Sequence, residues 1–212
     1  MYSGTDDEIA VQESVFSRRG VRRVIEYAFD LAARRRGKVA SATKSNGIVH
    51  TMPFWDEIFV EVSSEHPGIE TSSYHIDALA AMFVLDPGRF DVVVASNLFG
   101  DILSDLSAAV VGGIGLAPSG NLDPSRQNPS MFEPVHGSAP DIAGNGLANP
   151  VGQIWSGSLM LEHLGHHSAA AAVMDAIHAV LRSGRLFTPD LGGTASSSAV
   201  AAAVATHVSS GS

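Results

Sequence analysis

From Lys38 to Val111 the chain switches repeatedly between short apolar runs and stretches with helical spacing. That alternation restricts the fold more than any other feature. Lys38 to Thr43 reads as a strand, and Pro53 to Glu65 as a helix opened by its proline. Ile69 to Ser73 is a second short strand. Ile76 to Leu85 is a helix stopped by Pro87. The apolar run Asp91-Val92-Val93-Val94-Ala95 is a third strand. It breaks at Ser96-Asn97 into a helix that reaches about residue 111. Strands that alternate with helices point to α/β architecture.

The flanks are read the same way. Glu8 to Phe16 alternates apolar and polar residues, which predicts a strand. Val21, Val24, Ile25, Ala28, Phe29 and Ala32 recur at helical spacing, which predicts a helix over 21–36. Residues 112–128 are rich in Gly, Pro, Ser and Asn and predict loops with a short strand. An extended segment over 132–139 and a loop over 140–149 follow. Three helices are expected over 150–164, 169–181 and 197–207. The loop-rich stretch near residue 112 is the candidate boundary between domains at 1–111 and 112–212. No internal repeat is present.

Hydrophobic residues make up 45 % of the chain and charged residues 17 %, against roughly 25 % charged in soluble domains. A chain this apolar can bury a core and also hide surface in an oligomer. The formal net charge of −9 argues against a nucleic-acid partner, since phosphate binding needs clustered cations. Arg34, Arg35, Arg36 and Lys38 fall at an expected helix end, where cations suit the dipole. Without cysteine, neither disulfide nor thiol chemistry applies. No run approaches the roughly 18 apolar residues of a membrane span. The start MYSGTDDEIAV has neither the basic stretch nor the apolar core of a secretion signal, so the cytoplasm is the expected location.

Several residues could carry chemistry. Asp101 and Asp105 lie at i and i+4, one turn apart on one helix face. Like charges so placed repel, and a divalent cation would remove the repulsion. The strand before them aims that turn at the carboxyl edge of a sheet, where open α/β folds place ligands. The residues alone also allow two solvated helix acids. Lys44 ends a strand and can point into a cleft, or simply into water. Asp77, an acid in the apolar helix HIDALAAMF, fits a metal ligand or a first-turn acid favoured by the dipole. The run from Glu133 to Asp141, EPVHGSAPD, packs small residues around His136 and two acids. Small residues let a backbone approach a flat or charged ligand closely. His136 taken alone reads equally as a structural histidine. Neither G-x-G-x-x-G nor a Walker motif is present.

Taken together, ASNLFGDILSD, FEPVHGSAPDIAGNGLANP and TPDLGGTAS resemble the β-decarboxylating dehydrogenases. That family includes the isopropylmalate, isocitrate and tartrate/D-malate dehydrogenases. VQESVFSRRGVRRVIEYAFDLA and SATKSNGI followed by MPFWDE are most similar to the tartrate/D-malate branch. The resemblance runs from about Glu8 to His207. It implies the isopropylmalate dehydrogenase-like fold, here as the C-terminal part: a dimerisation domain plus half of a split cofactor domain. It also implies NAD- and Mg²⁺- or Mn²⁺-dependent oxidation of a 2-hydroxy diacid such as tartrate or D-malate, with or without decarboxylation. Isopropylmalate is the alternative substrate.

Carried over by position, the resemblance gives Asp101 and Asp105 as metal ligands of one subunit. Asp77 becomes the acid reaching the same metal from the partner of a homodimer. Lys44 becomes the base, also donated across the dimer, with Asn46 near the nicotinamide. Glu133, His136, Gly137, Ser138, Ala139, Asp141 and Asn149 become the cofactor loop. Asp141 would accept from a ribose and repel a 2′-phosphate, which favours NAD over NADP. The family's first third, with its substrate-clamping arginines and proton-donating tyrosine, has no counterpart in the 212 residues. The expectation is therefore a chain that is inactive alone, or a non-catalytic subunit of the same family.

Overall fold

The computed structural model describes residues 1–210. Contacts group the chain into two compact units, Met1–Leu103 and Ser104–Ser212.

In the first unit, α1 (Arg18–Ala33) begins where the Ser17 hydroxyl accepts the Gly20 N–H at 3.2 Å. Its buried residues, Val21, Ile25, Ala28, Phe29 and Ala32, keep the spacing of one helical face. There follow β1 (Lys38–Thr43), α2 (Thr51–Glu65), β2 (Glu70–His75), α3 (Ile76–Leu85), β3 (Val92–Val94) and the first half of α4 (Asn97–Val111), a helix whose remainder counts with the second unit. The strands form a parallel sheet in the order β2-β1-β3. The central strand is buried from Val39 to Thr43, as expected of a strand covered on both faces. Phe29 meets Phe59 with ring centroids 5.8 Å apart. The buried Trp55 indole N–H donates to Ser41 Oγ at 2.9 Å, so its one polar atom does not enter the core unsatisfied. The α/β expectation holds.

The basic run has a structural task. Arg35 Nε donates to Asp91 Oδ1 at 2.9 Å, and the Arg36 backbone N–H to Asp91 Oδ2 at 2.8 Å. Burial pushes the Asp91 carboxyl up, but Arg35 and the backbone N–H groups of Arg36 and Lys38 outweigh it and hold it below the usual range.

The expected strand at Glu8–Phe16 does not form; this segment is irregular and mostly exposed. Val11 and Val15 are 71 % and 88 % exposed. Alternation makes a strand only where a neighbour takes its hydrogen bonds. Among the described residues none does. Met1 and Ile9 instead bond to each other through both backbone pairs, each at 2.9 Å.

In the second unit, a 3₁₀ turn at Ile114–Leu116 leads to an antiparallel hairpin of β4 (Pro118–Asn121) and β5 (Met131–Pro134). Then come α5 (Val151–His163), α6 (His167–Ser183) and α7 (Ser197–Ser210). Val151, Ala176, Ile177, Val180, Val200 and Val204 form the core between these helices. His166 and His167 open α6, with no side-chain bond capping it. No helix among the described residues is long and apolar enough to cross a membrane.

Candidate functional site

Strand register brings the first two candidates together. Thr43 of β1 pairs with His75 of β2 at the carboxyl edge of the sheet. Lys44 is the next residue after the first strand, and Asp77 lies in the first turn of α3 after the second. Lys44 Nζ donates to Asp77 Oδ1 at 2.8 Å. The Lys44 side chain is 31 % exposed and that of Asp77 69 %, so most of the carboxylate stays open to solvent. The Lys44 ammonium, and after it a backbone N–H, hold the Asp77 carboxyl below the usual carboxylate range. The Gly47 and Ile48 N–H groups both close on the Lys44 carbonyl, at 2.9 and 2.8 Å, into a tight turn. Asn46 stands exposed in that turn.

Asp101 and Asp105 are both exposed on α4. Phe99 and Leu103, buried at 7 % and 4 %, lie on the side of the helix away from them. Beside the acids the surface is apolar: Leu98 is 63 % exposed and Ile102 50 %. Exposed carboxylates one turn apart are hard oxygen donors of the kind that Mg²⁺ or Mn²⁺ takes, and Asp77 offers another. Among the described residues, no three His, Asp or Glu side chains converge on one cation position within a single chain.

The loop after β5 begins where the Val135 N–H donates to the Ala117 carbonyl at 3.1 Å. His136 Nδ1 lies 2.9 Å from the Gly137 carbonyl. Ala139 has a φ of +43°, unusual for a residue with a Cβ. Its carbonyl accepts the N–H groups of Ile142 and Ala143, both at 3.1 Å, which closes a turn around Asp141. Glu133, Gly137, Ser138 and Asp141 are exposed, while Ala139 and His136 are half-buried. Such a rim of hydroxyl, carboxylate and bare backbone fits the sugar hydroxyls of a nucleotide.

Asn149 differs from the rest of the loop. It is 7 % exposed. Its Nδ2 donates to Asp190 Oδ2 at 3.0 Å, and its Oδ1 accepts the Val151 N–H at 3.0 Å. Both ends of the amide are engaged within the chain, so its side chain is not free to bind a ligand. Sequence reasoning assigned no role to Asp190 or Ser197, although TPDLGGTAS stood out as a motif. A cavity of about 210 Å³ is lined by Lys38, Ala40, Glu70, Tyr74, Arg89 and Asp91, among others. Lys38 opens β1 and Lys44 follows its end, so this cavity is not where Lys44 and Asp77 meet.

A family model described as isocitrate/isopropylmalate dehydrogenase matches residues 1–207. The chain is 54 % identical to a tartrate dehydrogenase/decarboxylase of Pseudomonas putida, over 96 % of this chain and 58 % of that one. It is 52 % identical to the D-malate dehydrogenase (decarboxylating) of Escherichia coli K12, over 95 % and 57 % respectively. The crystal structure of isocitrate dehydrogenase from Methylococcus capsulatus superposes with a TM-score of 0.89 at 42 % identity, over 96 % of this chain and 60 % of that one. The chain thus spans little more than half the length of the curated relatives it matches.

Proposed function

Because this chain belongs to the isocitrate/isopropylmalate dehydrogenase family, we propose that it forms part of an NAD- and divalent-metal-dependent enzyme that oxidises a 2-hydroxy diacid of the tartrate or D-malate type. Residues 1–111 serve dimerisation and the metal site, and residues 112–212 form the C-terminal half of the cofactor domain. The enzyme works as a cytoplasmic homodimer. The observation that carries this reading is the Lys44–Asp77 pair at the carboxyl edge of the sheet, together with Asp101 and Asp105 on an exposed helix face.

Asp77, Asp101 and Asp105 would hold the cation. When bound, it supplies Lewis-acid stabilisation of negative charge developing on the substrate, worth several kcal/mol. Lys44 is the general base for the substrate hydroxyl. Its hydrogen bond to Asp77 aims the amine. A positive charge that engages Asp77 would compete with Lys44 for that carboxylate and free the amine to turn to the substrate. Glu133, His136, Gly137, Ser138, Ala139 and Asp141, with the Asn149 backbone, would seat NAD, and Asn46 would stand near its nicotinamide.

A homodimer is supported by α3. Its sequence IDALAAMFVL is almost wholly apolar, yet only Leu79 and Phe83 are buried. Val84 and Leu85 are 59 % and 82 % exposed, and Leu98 and Ile102 of α4 add to the apolar surface. Apolar patches of this kind mark association surfaces. Lys44 and Asp77 travel together on one subunit and meet Asp101 and Asp105 of the other.

The test is NAD reduction with D-malate and with tartrate in the presence of Mn²⁺, by a protein in which the family's amino-terminal segment precedes this chain. Turnover of either acid is expected. Failure with both acids and with isopropylmalate sinks the reading. The 212-residue chain alone is expected to reduce no NAD, because the substrate clamp lies outside it.

A further inference from the structure

Residues 188–197, TPDLGGTASS, have no part in the chemistry above, yet they hold the far half of the nucleotide loop. Ser197 N–H donates to the Gly146 carbonyl at 2.8 Å. Ser197 Oγ donates to the Ala148 carbonyl. Asp190 Oδ2 accepts from Asn149 Nδ2 at 3.0 Å. These three bonds fall within four residues of the loop, between Gly146 and Asn149.

The strap itself is tightly made. The Leu191 and Gly193 N–H groups both close on the Thr188 carbonyl at 3.0 Å, and the Ala195 N–H reaches the Phe187 carbonyl at 2.9 Å. Thr188 is 1 % exposed, which roots the strap in the unit. A Cβ on Gly193 would lie 1.9 Å from the Phe187 carbonyl oxygen, so no side chain fits there. At Gly115 a Cβ would come within 2.9 Å of Asp190 Oδ2 and 3.0 Å of Asn149 Cβ. The absence of a side chain at Gly115 therefore leaves room for the contact between Asp190 and Asn149.

We propose that Asp190 is the positioning residue of the nucleotide loop, acting on the ligand only through Asn149. The proposal rests on the reading of residues 133–149 as the NAD site. The carboxylate takes one end of the Asn149 amide, which turns the other end onto the Val151 N–H. That fixes the loop's exit against the first residue of α5. With Ser197 holding Gly146 and Ala148, the segment carrying Asp141 is closed at its far end. Fewer loop conformations then compete with the one that accepts a ribose, and binding loses less conformational freedom.

Three forms of the 212-residue chain test this: wild type, Asp190→Ala and Asp190→Asn. Asparagine keeps an acceptor of the same reach, whereas alanine removes it. Amide hydrogen exchange over residues 142–149 is expected to speed up about tenfold in Asp190→Ala and to stay near wild type in Asp190→Asn, as for loss of one hydrogen bond to a charged group. Exchange in α6 and α7 should not change. Titration with NAD, followed by chemical shifts of residues 133–149, should show Kd weakened about tenfold in Asp190→Ala and restored in Asp190→Asn.

If wild type binds NAD but Asp190→Ala exchanges and binds as wild type does, Asp190 has no positioning role and the cofactor reading stands. If exchange accelerates in α6 and α7 as well, Asp190 merely stabilises the fold, and the proposal is overturned. If millimolar NAD moves no resonance of residues 133–149 in wild type, the cofactor reading falls and takes the proposal with it.

Discussion

Lys44 and Asp77 are held by opposite charges 2.8 Å apart, whereas the loop from Val135 to Asn149 is held largely by backbone carbonyls, with one carboxylate, Asp190, on the neutral Asn149 amide. The first arrangement is open to solvent and answers to charge, salt and proton concentration. The second answers to chain geometry, because its anchors need glycine where a side chain would collide. A base, the role proposed for Lys44, must change its protonation state during a turnover, so a hold that charge can loosen suits it. A loop with the nucleotide role proposed for it must present the same shape at every encounter, so a hold built mainly on backbone geometry suits it.

The largest expected effect separates the two regions. In an active protein carrying this chain, Lys44→Ala should lower kcat by about 10² to 10⁴, the usual worth of a positioned general base. NAD affinity and thermal stability should stay near wild type, since an exposed ion pair adds little to folding. A matching fall in NAD affinity would show that the two regions are not independent. The second test strikes the strap. Gly193→Ala forces a Cβ against the backbone of Phe187 and should cost about 2 to 4 kcal/mol in urea unfolding, as overpacking against fixed atoms does.

A smaller effect reports on charge directly. In Lys44→Met the Asp77 carboxyl, followed by carbon-13 NMR, should titrate higher than in wild type, closer to the ordinary value of about 3.9. Because its folded pKa lies below the unfolded value, Asp77 contributes stability above the ordinary carboxylate pKa. That contribution is lost as pH falls through the lowered folded value. An unchanged Asp77 titration in Lys44→Met would mean that the ion pair does not hold the base. The smallest effect belongs to Ala139, whose φ of +43° is strained for alanine. Ala139→Gly relieves about 1 to 2 kcal/mol of strain but loosens the unfolded chain, for a net gain of at most about 1 kcal/mol in thermal unfolding.

Where local pattern and burial agree, the sequence was readable. Lys38–Thr43 and Ile76–Leu85 form over the expected residues, because one is a run of small side chains buried from Val39 onward and the other stops just before Pro87. The helix at Arg18–Ala33 starts earlier than its apolar spacing shows, because the Ser17 cap sets its start. Glu8–Phe16 carries a strand pattern without a strand, since a ladder depends on residues elsewhere. The contact between Lys44 and Asp77 was not readable from spacing, for it arises from the parallel register of Thr43 with His75. Resemblance alone had put both residues on the same side of a dimer. The strap was missed because its work is done by backbone carbonyls and by space at Gly115 and Gly193, which no side-chain chemistry advertises.

The sharing of sites between subunits is tested most directly by mixing two dead enzymes. Lys44→Ala and Asp101→Asn are made in the protein carrying both this chain and the family's amino-terminal segment. Each is confirmed inactive, and they are unfolded and refolded together so that heterodimers form. One site of each heterodimer then holds Lys44 and Asp77 from one subunit and Asp101 and Asp105 from the other, all unaltered. NAD reduction is expected to return in the mixture and in neither variant refolded alone. A mixture that contains heterodimers and still reduces no NAD would contradict the sharing of sites.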